Sequence, residues 1–112
     1  MNKSTKYYSN RQEKSVARSL GGKQVAGSGA SIMSLGDVRL EHCLIECKTS
    51  TTEKGSYSVK REILDKIQKE ARIMGKYFSM LAFNFGPDTK NFYVIDEDTM
   101  KFLIEKINEE YQ

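Results

Sequence analysis

The stretch "GDVRLEHCLIECKTS", residues 36–50, decides the fold that the sequence predicts. Residues 36–40 and 42–49 have the composition of two β-strands, and a turn near Leu40 and Glu41 would pair them as an antiparallel hairpin. The second strand is largely apolar, yet it contains Glu46 and Lys48, and Asp37 lies just upstream. Charged groups in a strand that looks buried need an explanation, because burying an unpaired charge is costly.

Further elements on both sides of the hairpin predict a mixed sheet flanked by helices. A first helix begins after Ser9, with Gln12 in the position of a capping box, and ends at Gly21 and Gly22. A short strand at residues 23–26 and the Gly/Ser-rich loop 27–36 lead into the hairpin. The later elements are a helix at 58–74, a strand at 77–85, a turn at 86–88, a strand at 91–95 and a last helix capped by Asp96 or Asp98.

The spacing of apolar residues predicts which face of each helix is buried. The first helix would bury Val16, Ala17 and Leu20, with Glu13 at the border of that face. The second would bury Ile63, Leu64, Ile67, Ala71 and Met74, with Lys60 on the same stripe. The third would bury Met100, Leu103, Ile104 and Ile107. The aromatic residues of the late strands are predicted to lie in the core: Phe78, Phe83, Phe85, Phe92 and Tyr93.

The length of 112 residues predicts a single domain of the α/β class, with an α+β mixed sheet. Residues 1–8 are expected to be flexible, and residues 86–112 form a C-terminal strand–helix extension. The sequence contains no run of eighteen apolar residues, so it predicts no membrane span. No apolar segment follows the first charges, so no secretory signal is expected. Cys43 and Cys47 are too far apart on an extended strand to form a disulfide, which favours reduced thiols in the cytoplasm.

Positive charge is concentrated in the first third of the chain. Residues 1–35 contain six basic side chains and one acidic side chain, whereas residues 77–112 contain three basic and seven acidic ones. This asymmetry is compatible with a polyanionic partner on one side, although a solvated charged surface explains it equally well.

The alternation of side chains along a strand places Glu46 and Lys48 on one face. If the register also puts Asp37 beside Glu46, two carboxylates and one ammonium group converge. Two carboxylates and a backbone carbonyl such as that of Cys47 are the hard oxygen ligands that Mg²⁺ prefers. A lysine beside them could orient a water molecule or stabilise charge on a phosphate. The structural alternative is an internal salt bridge with Lys48 or Arg39.

This set of motifs resembles the PD-(D/E)XK nuclease superfamily, in which Gly36-Asp37 would stand for Pro-Asp and Glu46-Cys47-Lys48 for (D/E)-x-K. Within the superfamily, four segments are similar to the small Holliday-junction resolvases of archaea and their phage-encoded relatives: "RQEKSVARSLGG", "GSGA", "GDVR" and "LIECKT". The likeness covers residues 9 to about 85. It implies a restriction-endonuclease-like core in the order helix, three strands, helix, two strands, helix.

The resemblance also implies roles for individual residues. Glu13 in the first helix would complete a Mg²⁺ site (Mn²⁺ being an alternative) formed by Asp37, Glu46 and the Cys47 carbonyl. Lys48 would activate the water, and Ser28 in the loop would assist at the phosphate. Gly36 departs from the proline of the family pattern, a change expected to cost little because Asp37 is the ligand. The candidate DNA-binding residues are Arg11, Lys14, Arg18, Lys23, Ser28, Ser31, Arg39 and Lys60.

The function that follows from the resemblance is a metal-dependent endonuclease that cuts four-way junctions during DNA recombination. Such an enzyme is expected to be a homodimer in a bacterial or archaeal host cell, or to be phage-encoded. Two alternatives stay open at this stage. One is another nuclease of the superfamily, of the nicking or restriction-like kind. The other is a non-catalytic DNA-binding module with the same fold.

Overall fold

The computed structural model describes residues 3–25 and 35–112 of the chain. Three helices and five strands lie within these ranges, in the predicted order. The elements are α1 Thr5–Leu20, β1 Lys23–Gln24, β2 Val38–Arg39, β3 Cys43–Lys48, α2 Arg61–Ile73, β4 Phe78–Phe83, β5 Phe92–Val94 and α3 Glu97–Glu110. The predicted α/β class with a mixed sheet is confirmed.

The five strands form one sheet in the order β1-β2-β3-β4-β5. β1 pairs with β2, and β2 with β3, in antiparallel fashion, and the predicted hairpin is β2–β3, with Val38 opposite Ile45. β4 is parallel to β3, and α2 makes the crossover between them. β5 returns antiparallel to β4. β3 is therefore the middle strand, and β4 is also an interior strand.

Both faces of β3 are buried, each against a different helix. Ile45 and Cys47 pack with Val16 of α1 in one apolar cluster. Leu44, which points to the opposite face, packs with Ile67 and Ala71 of α2 in a second cluster. This sandwiching of the sheet between α1 and α2 explains why β3 is a nearly continuous apolar run.

The helix starts differ from the predicted ones. α1 begins at Thr5, because the side chain of Ser4 accepts a hydrogen bond from the Tyr7 amide at 3.2 Å and caps the helix. The predicted cap, Ser9, therefore lies inside the helix. α2 begins at Arg61, three residues later than predicted, and the α3 cap is Asp96, one of the two predicted residues.

The prediction of a buried face on α3 is wrong. Its four predicted core residues have 39–51% of their surface exposed: Met100, Leu103, Ile104 and Ile107. The residue that α3 buries is Thr99, and Phe102 contacts Phe78 with ring centroids 5.2 Å apart. The aromatic prediction is also wrong for Phe92 and Tyr93, which are 43% and 36% exposed at the edge strand β5. Amphipathic spacing identifies an apolar face but cannot say whether this chain covers it.

None of the helices in the described parts of the chain has both the length and the apolar character needed to cross a membrane.

Gly36, which precedes β2, has a backbone conformation that explains its identity. Its φ of +71° lies in the left-handed region, and an added Cβ would come within 2.5 Å of Leu44 Cδ1. Proline, with φ fixed near −65°, cannot adopt this conformation. Glycine at this position is thus required by the local backbone, and a Pro-Asp sequence could not reach Asp37 by the same path.

We predict that Gly36→Ala destabilises the protein by about 2–4 kcal/mol, because the left-handed conformation and the overpacking against Leu44 add together. Gly55→Ala is the matched control, since nothing lies within 4 Å of its added methyl group. It should change stability by about 0.5 kcal/mol or less. Chemical denaturation of the three proteins measures the difference. Equal midpoints for Gly36→Ala and wild type would contradict the stated constraint.

Candidate functional site

Asp37 and Glu46 meet at the open end of the β2–β3 hairpin. Val38 pairs with Ile45 in the hairpin. One residue further along the same register, Asp37 lies opposite Glu46. Two hydrogen bonds hold Asp37 there: its amide donates to the Ile45 carbonyl at 2.9 Å, and its Oδ2 accepts from the Cys47 amide at 2.8 Å. The condition on which the sequence argument depended is therefore met.

Burial and neighbouring negative charge raise the pKa of both acids. Burial raises the pKa of Asp37, with a further rise from the negative charge of Glu13, against the lowering effect of the Cys47 amide. Burial likewise raises the pKa of Glu46, to which Asp37 adds repulsion, against the lowering effect of Lys66 and Lys48. Both carboxyl groups thus hold protons more tightly than in water, which is typical of functional clusters and of buried ion networks alike.

Glu13 lies close to this pair but has a partner of its own. It sits in the middle of α1, so it is not an acid of the first turn, and its Oε1 accepts a hydrogen bond from Gln24 Nε2 at 3.0 Å. Burial raises its pKa, and the negative charge of Glu46 raises it further. Three carboxylates therefore influence one another electrostatically, with Glu13 at the border of the Asp37–Glu46 pair.

Two lysines contact Glu46, and the sequence predicted one of them. Lys48 Nζ lies 3.6 Å from Glu46 Oε2, and Lys66 Nζ lies 3.3 Å from Glu46 Oε1. Lys66 also pairs with Glu70 at 3.0 Å, and Glu70 accepts the Gly36 amide at 2.9 Å. Lys66 and Glu70 are four residues apart beside the buried stripe of α2. That spacing was the signal in the sequence that could have identified them.

The oxygen atoms at this point fit a Mg²⁺ site with few protein ligands. The carbonyl groups of Ile45 and Cys47 point to the same edge of β3, because alternate residues of a strand share their hydrogen-bonding direction. The Cys47 carbonyl is thus directed to the Asp37 side. Within residues 3–25 and 35–112, no three His, Cys, Asp or Glu side chains are arranged to hold a metal ion. Mg²⁺ is commonly held by one or two carboxylates and retains several waters, so two carboxylates with a carbonyl suffice.

Most of the predicted DNA-binding residues are exposed. Lys14, Arg18 and Lys23 lie on the surface, and Arg11 forms an ion pair with Asp88 at 2.8 Å. Arg39 lies in β2, and its Nη2 donates to the Leu35 carbonyl at 3.4 Å. Lys60 is exposed at the start of α2 and does not lie on the buried stripe, which corrects that prediction. Ser28 and Ser31 lie outside the described residues.

Comparisons of this chain with protein-family models, with curated proteins and with solved structures found no match. The fold and the site must therefore carry the functional argument.

We predict that Asp37→Asn stabilises the protein at neutral pH by on the order of 1 kcal/mol. Because the folded-state pKa of Asp37 is raised, its contribution to stability is present at low pH and is lost as the pH rises through that pKa. Asparagine removes the charge and keeps an acceptor for the Cys47 amide. Thermal unfolding from pH 4 to pH 8 should show the two curves separating as the pH rises.

Asp88→Asn is the control for that measurement, because Asp88 is exposed and its ion pair with Arg11 is screened by solvent. It should lose a little stability or none. If wild type instead became more stable than Asp37→Asn as the pH rises, the ionised Asp37 carboxylate would not be destabilising the folded state.

Proposed function

We propose that this protein is a divalent-metal-dependent DNA endonuclease with a restriction-endonuclease-like core, and that it cuts branched DNA such as four-way junctions. The observation that carries the proposal is the meeting of the buried Glu46 carboxyl group with the partly buried Asp37 carboxyl group, both with raised pKa values, at the end of a hairpin. A structural role gives no reason to bring two acids together, because each makes the other's ionisation more costly.

The arrangement of elements supports the assignment to this superfamily. A helix, three antiparallel strands, a crossover helix and a parallel strand is the order expected of its core. Asp37 precedes the second strand, Glu46 and Lys48 lie on the third, and Glu13 lies on the first helix. These are the places that the resemblance assigns to the functional residues. The left-handed Gly36 is a departure from the Pro-Asp pattern in backbone as well as in sequence.

Asp37, Glu46 and the Cys47 carbonyl are the groups that would hold Mg²⁺ in this proposal. The bound ion would supply charge stabilisation at the scissile phosphate and lower the pKa of a coordinated water. Glu13, which keeps a hydrogen bond to Gln24, would accept a hydrogen bond from a water at the border of the site. Binding a cation would also remove the repulsion between the two carboxylates.

Lys48 is the lysine assigned to the water or the phosphate. Among the described residues its ion pair is with Glu46, at 3.6 Å, whereas Lys66 is divided between Glu46 and Glu70. Its partly exposed ammonium group can therefore turn to a bound phosphate without breaking a second pair. Lys66 is assigned a positioning role, because it holds the Glu46 carboxylate from the α2 side.

A second copy of this chain is the partner proposed for α3. Cutting both strands of a four-way junction symmetrically requires two active sites related by a two-fold axis, which a homodimer provides. The stripe of Met100, Leu103, Ile104 and Ile107 is exposed, and a helix of this length is marginal in water unless it packs. Pairing of α3 with its symmetry mate would cover that stripe.

We predict that wild-type protein with Mg²⁺ cuts a synthetic four-way junction faster than a matched linear duplex. Asp37→Asn and Glu46→Gln should each lower the rate by at least about a hundredfold, because several kcal/mol of metal-dependent stabilisation are lost. Lys48→Ala should lower it while DNA binding without metal persists. Gel assays of cleavage and of binding on the same substrates measure both properties.

Asp65→Asn is the matched control, since Asp65 is an exposed carboxylate of α2 whose ion pair with Arg61 lies outside the network around Asp37 and Glu46. It should retain most of the activity. Equal rates on junction and duplex would remove the junction preference and leave another nuclease of the superfamily. DNA binding by a wild type that never cuts would establish the non-catalytic module instead.

For the dimer, we predict that Leu103→Glu converts it to a folded monomer, because a charge on the exposed apolar stripe opposes burial against a second copy. Sedimentation equilibrium measures the mass, and circular dichroism checks the fold. The control is Lys101→Glu on the charged side of α3, which should stay dimeric. A wild type that is monomeric at all concentrations would refute the assignment of a second copy to α3.

A further inference from the structure

A cavity of about 320 Å³ lies between α1 and the residues that follow β3 and β4. Arg11, Lys14 and Arg18 contribute cations to its wall from successive turns of one helix face. Asp88 contributes a carboxylate, which is held by Arg11 at 2.8 Å. The wall is therefore positively charged, and Lys14 and Arg18 do not take part in the ion pair between Arg11 and Asp88.

Gln12 gives this cavity a specific feature, because it is buried to 4% exposure and cannot reverse its side-chain amide. Its Nε2 donates to the Lys48 carbonyl at 2.8 Å, the Ala82 carbonyl at 3.3 Å and Asn91 Oδ1 at 3.2 Å. All three partners are acceptors, so the nitrogen must face them. The other atom of the amide, Oε1, is buried and finds no donor among the described residues. A buried acceptor without a donor is unfavourable and calls for a partner.

Two asparagines continue the polar wall. Asn84, which is 5% exposed, donates to Asn91 Oδ1 at 3.3 Å and accepts from Thr49 Oγ1 at 2.6 Å. Thr49 directly follows Lys48, and Gln12 directly precedes Glu13. The amide-rich wall of the cavity is thus joined along the chain to two residues of the candidate active site.

We propose that this cavity binds one unstacked nucleotide of the substrate DNA, an inference that rests on the proposed endonuclease function and adds its substrate subsite. In the bound state, a shift of the Gln12 side chain would bring its Oε1 to a base N–H donor, since amide side chains commonly pair with base edges. Lys14 and Arg18 would hold the adjoining phosphate, and the Tyr8 ring in the wall would offer a stacking surface. The volume lies at the low end of ligand pockets and suits one nucleotide.

This subsite would give a physical reason for preferring branched DNA. Extracting a base from a continuous duplex costs stacking and pairing energy, whereas a base at a branch point or mismatch leaves the stack at a lower cost. A nucleotide held beside Thr49, which follows Lys48 in the chain, would fix the register of the strand relative to Asp37 and Glu46. The preference would then come from the cavity, and cutting from the carboxylates.

The test is a metal-free NMR titration of the full-length protein with deoxyadenosine monophosphate, 2-deoxyribose 5-phosphate and inorganic phosphate. The mononucleotide should shift the side-chain amide signals of Gln12 and Asn91 and bind about tenfold tighter than the two probes that lack a base. Equal affinities for all three probes would overturn the proposal in favour of a plain anion site. The absence of any shift at Gln12 would overturn it as well.

Arg18→Ala should weaken the mononucleotide about tenfold, through the loss of one charge-assisted hydrogen bond. Arg72→Ala is the matched control, because both arginines are exposed in the last turn of a helix and Arg72 lies on α2, away from the cavity. It should leave the affinity unchanged, and equal losses in both variants would overturn the assignment. A protein that binds the nucleotide but never cuts DNA would refute the endonuclease and leave the nucleotide site. A protein that cuts junctions but does not bind the nucleotide would refute the site alone.

Discussion

The hydrogen bond from the Cys47 amide to the Asp37 carboxylate is the contact on which the site depends. β2 has two ladder residues, Val38 and Arg39, so its pairing with β3 ends just before Asp37. Beyond this ladder, the Asp37 carboxylate accepts a hydrogen bond from the Cys47 amide and so joins the two strands at the next residue. This contact brings a second carboxyl group against Glu46 and directs both to the edge where the Cys47 carbonyl also points.

The surroundings of the pair compensate part of its electrostatic cost. Lys48 and Lys66 neutralise Glu46 from two sides, and Glu70 connects Lys66 to the Gly36 amide. The left-handed conformation of Gly36 lets the chain turn over Leu44 into β2 without a steric clash. A network that extends from α2 through the glycine to the hairpin therefore positions the carboxylates. It leaves their pKa values raised, so a cation at this point would relieve a strain that the fold maintains.

Local patterns in the sequence predicted much of this arrangement. The turn near Leu40 and Glu41 and the apolar run in β3 identified the hairpin, and alternation placed Glu46 and Lys48 on one face. The third helix could not be predicted, because the same apolar spacing describes a face buried in this chain and a face left exposed. Lys66 and Gln12 were missed for another reason. Their partners are a carboxylate on β3 and carbonyls on β3 and β4, contacts that no local spacing reveals.

The most direct test of the account is whether Mg²⁺ binds the folded protein through Asp37. Thermal unfolding at neutral pH with increasing Mg²⁺ measures this, because a ligand at a hundred times its Kd stabilises the folded state by about 2.7 kcal/mol. The account predicts that Mg²⁺ raises the Tm of wild type and of Asp88→Asn equally and leaves that of Asp37→Asn unchanged. The same rise in all three proteins, or none in wild type, would contradict it.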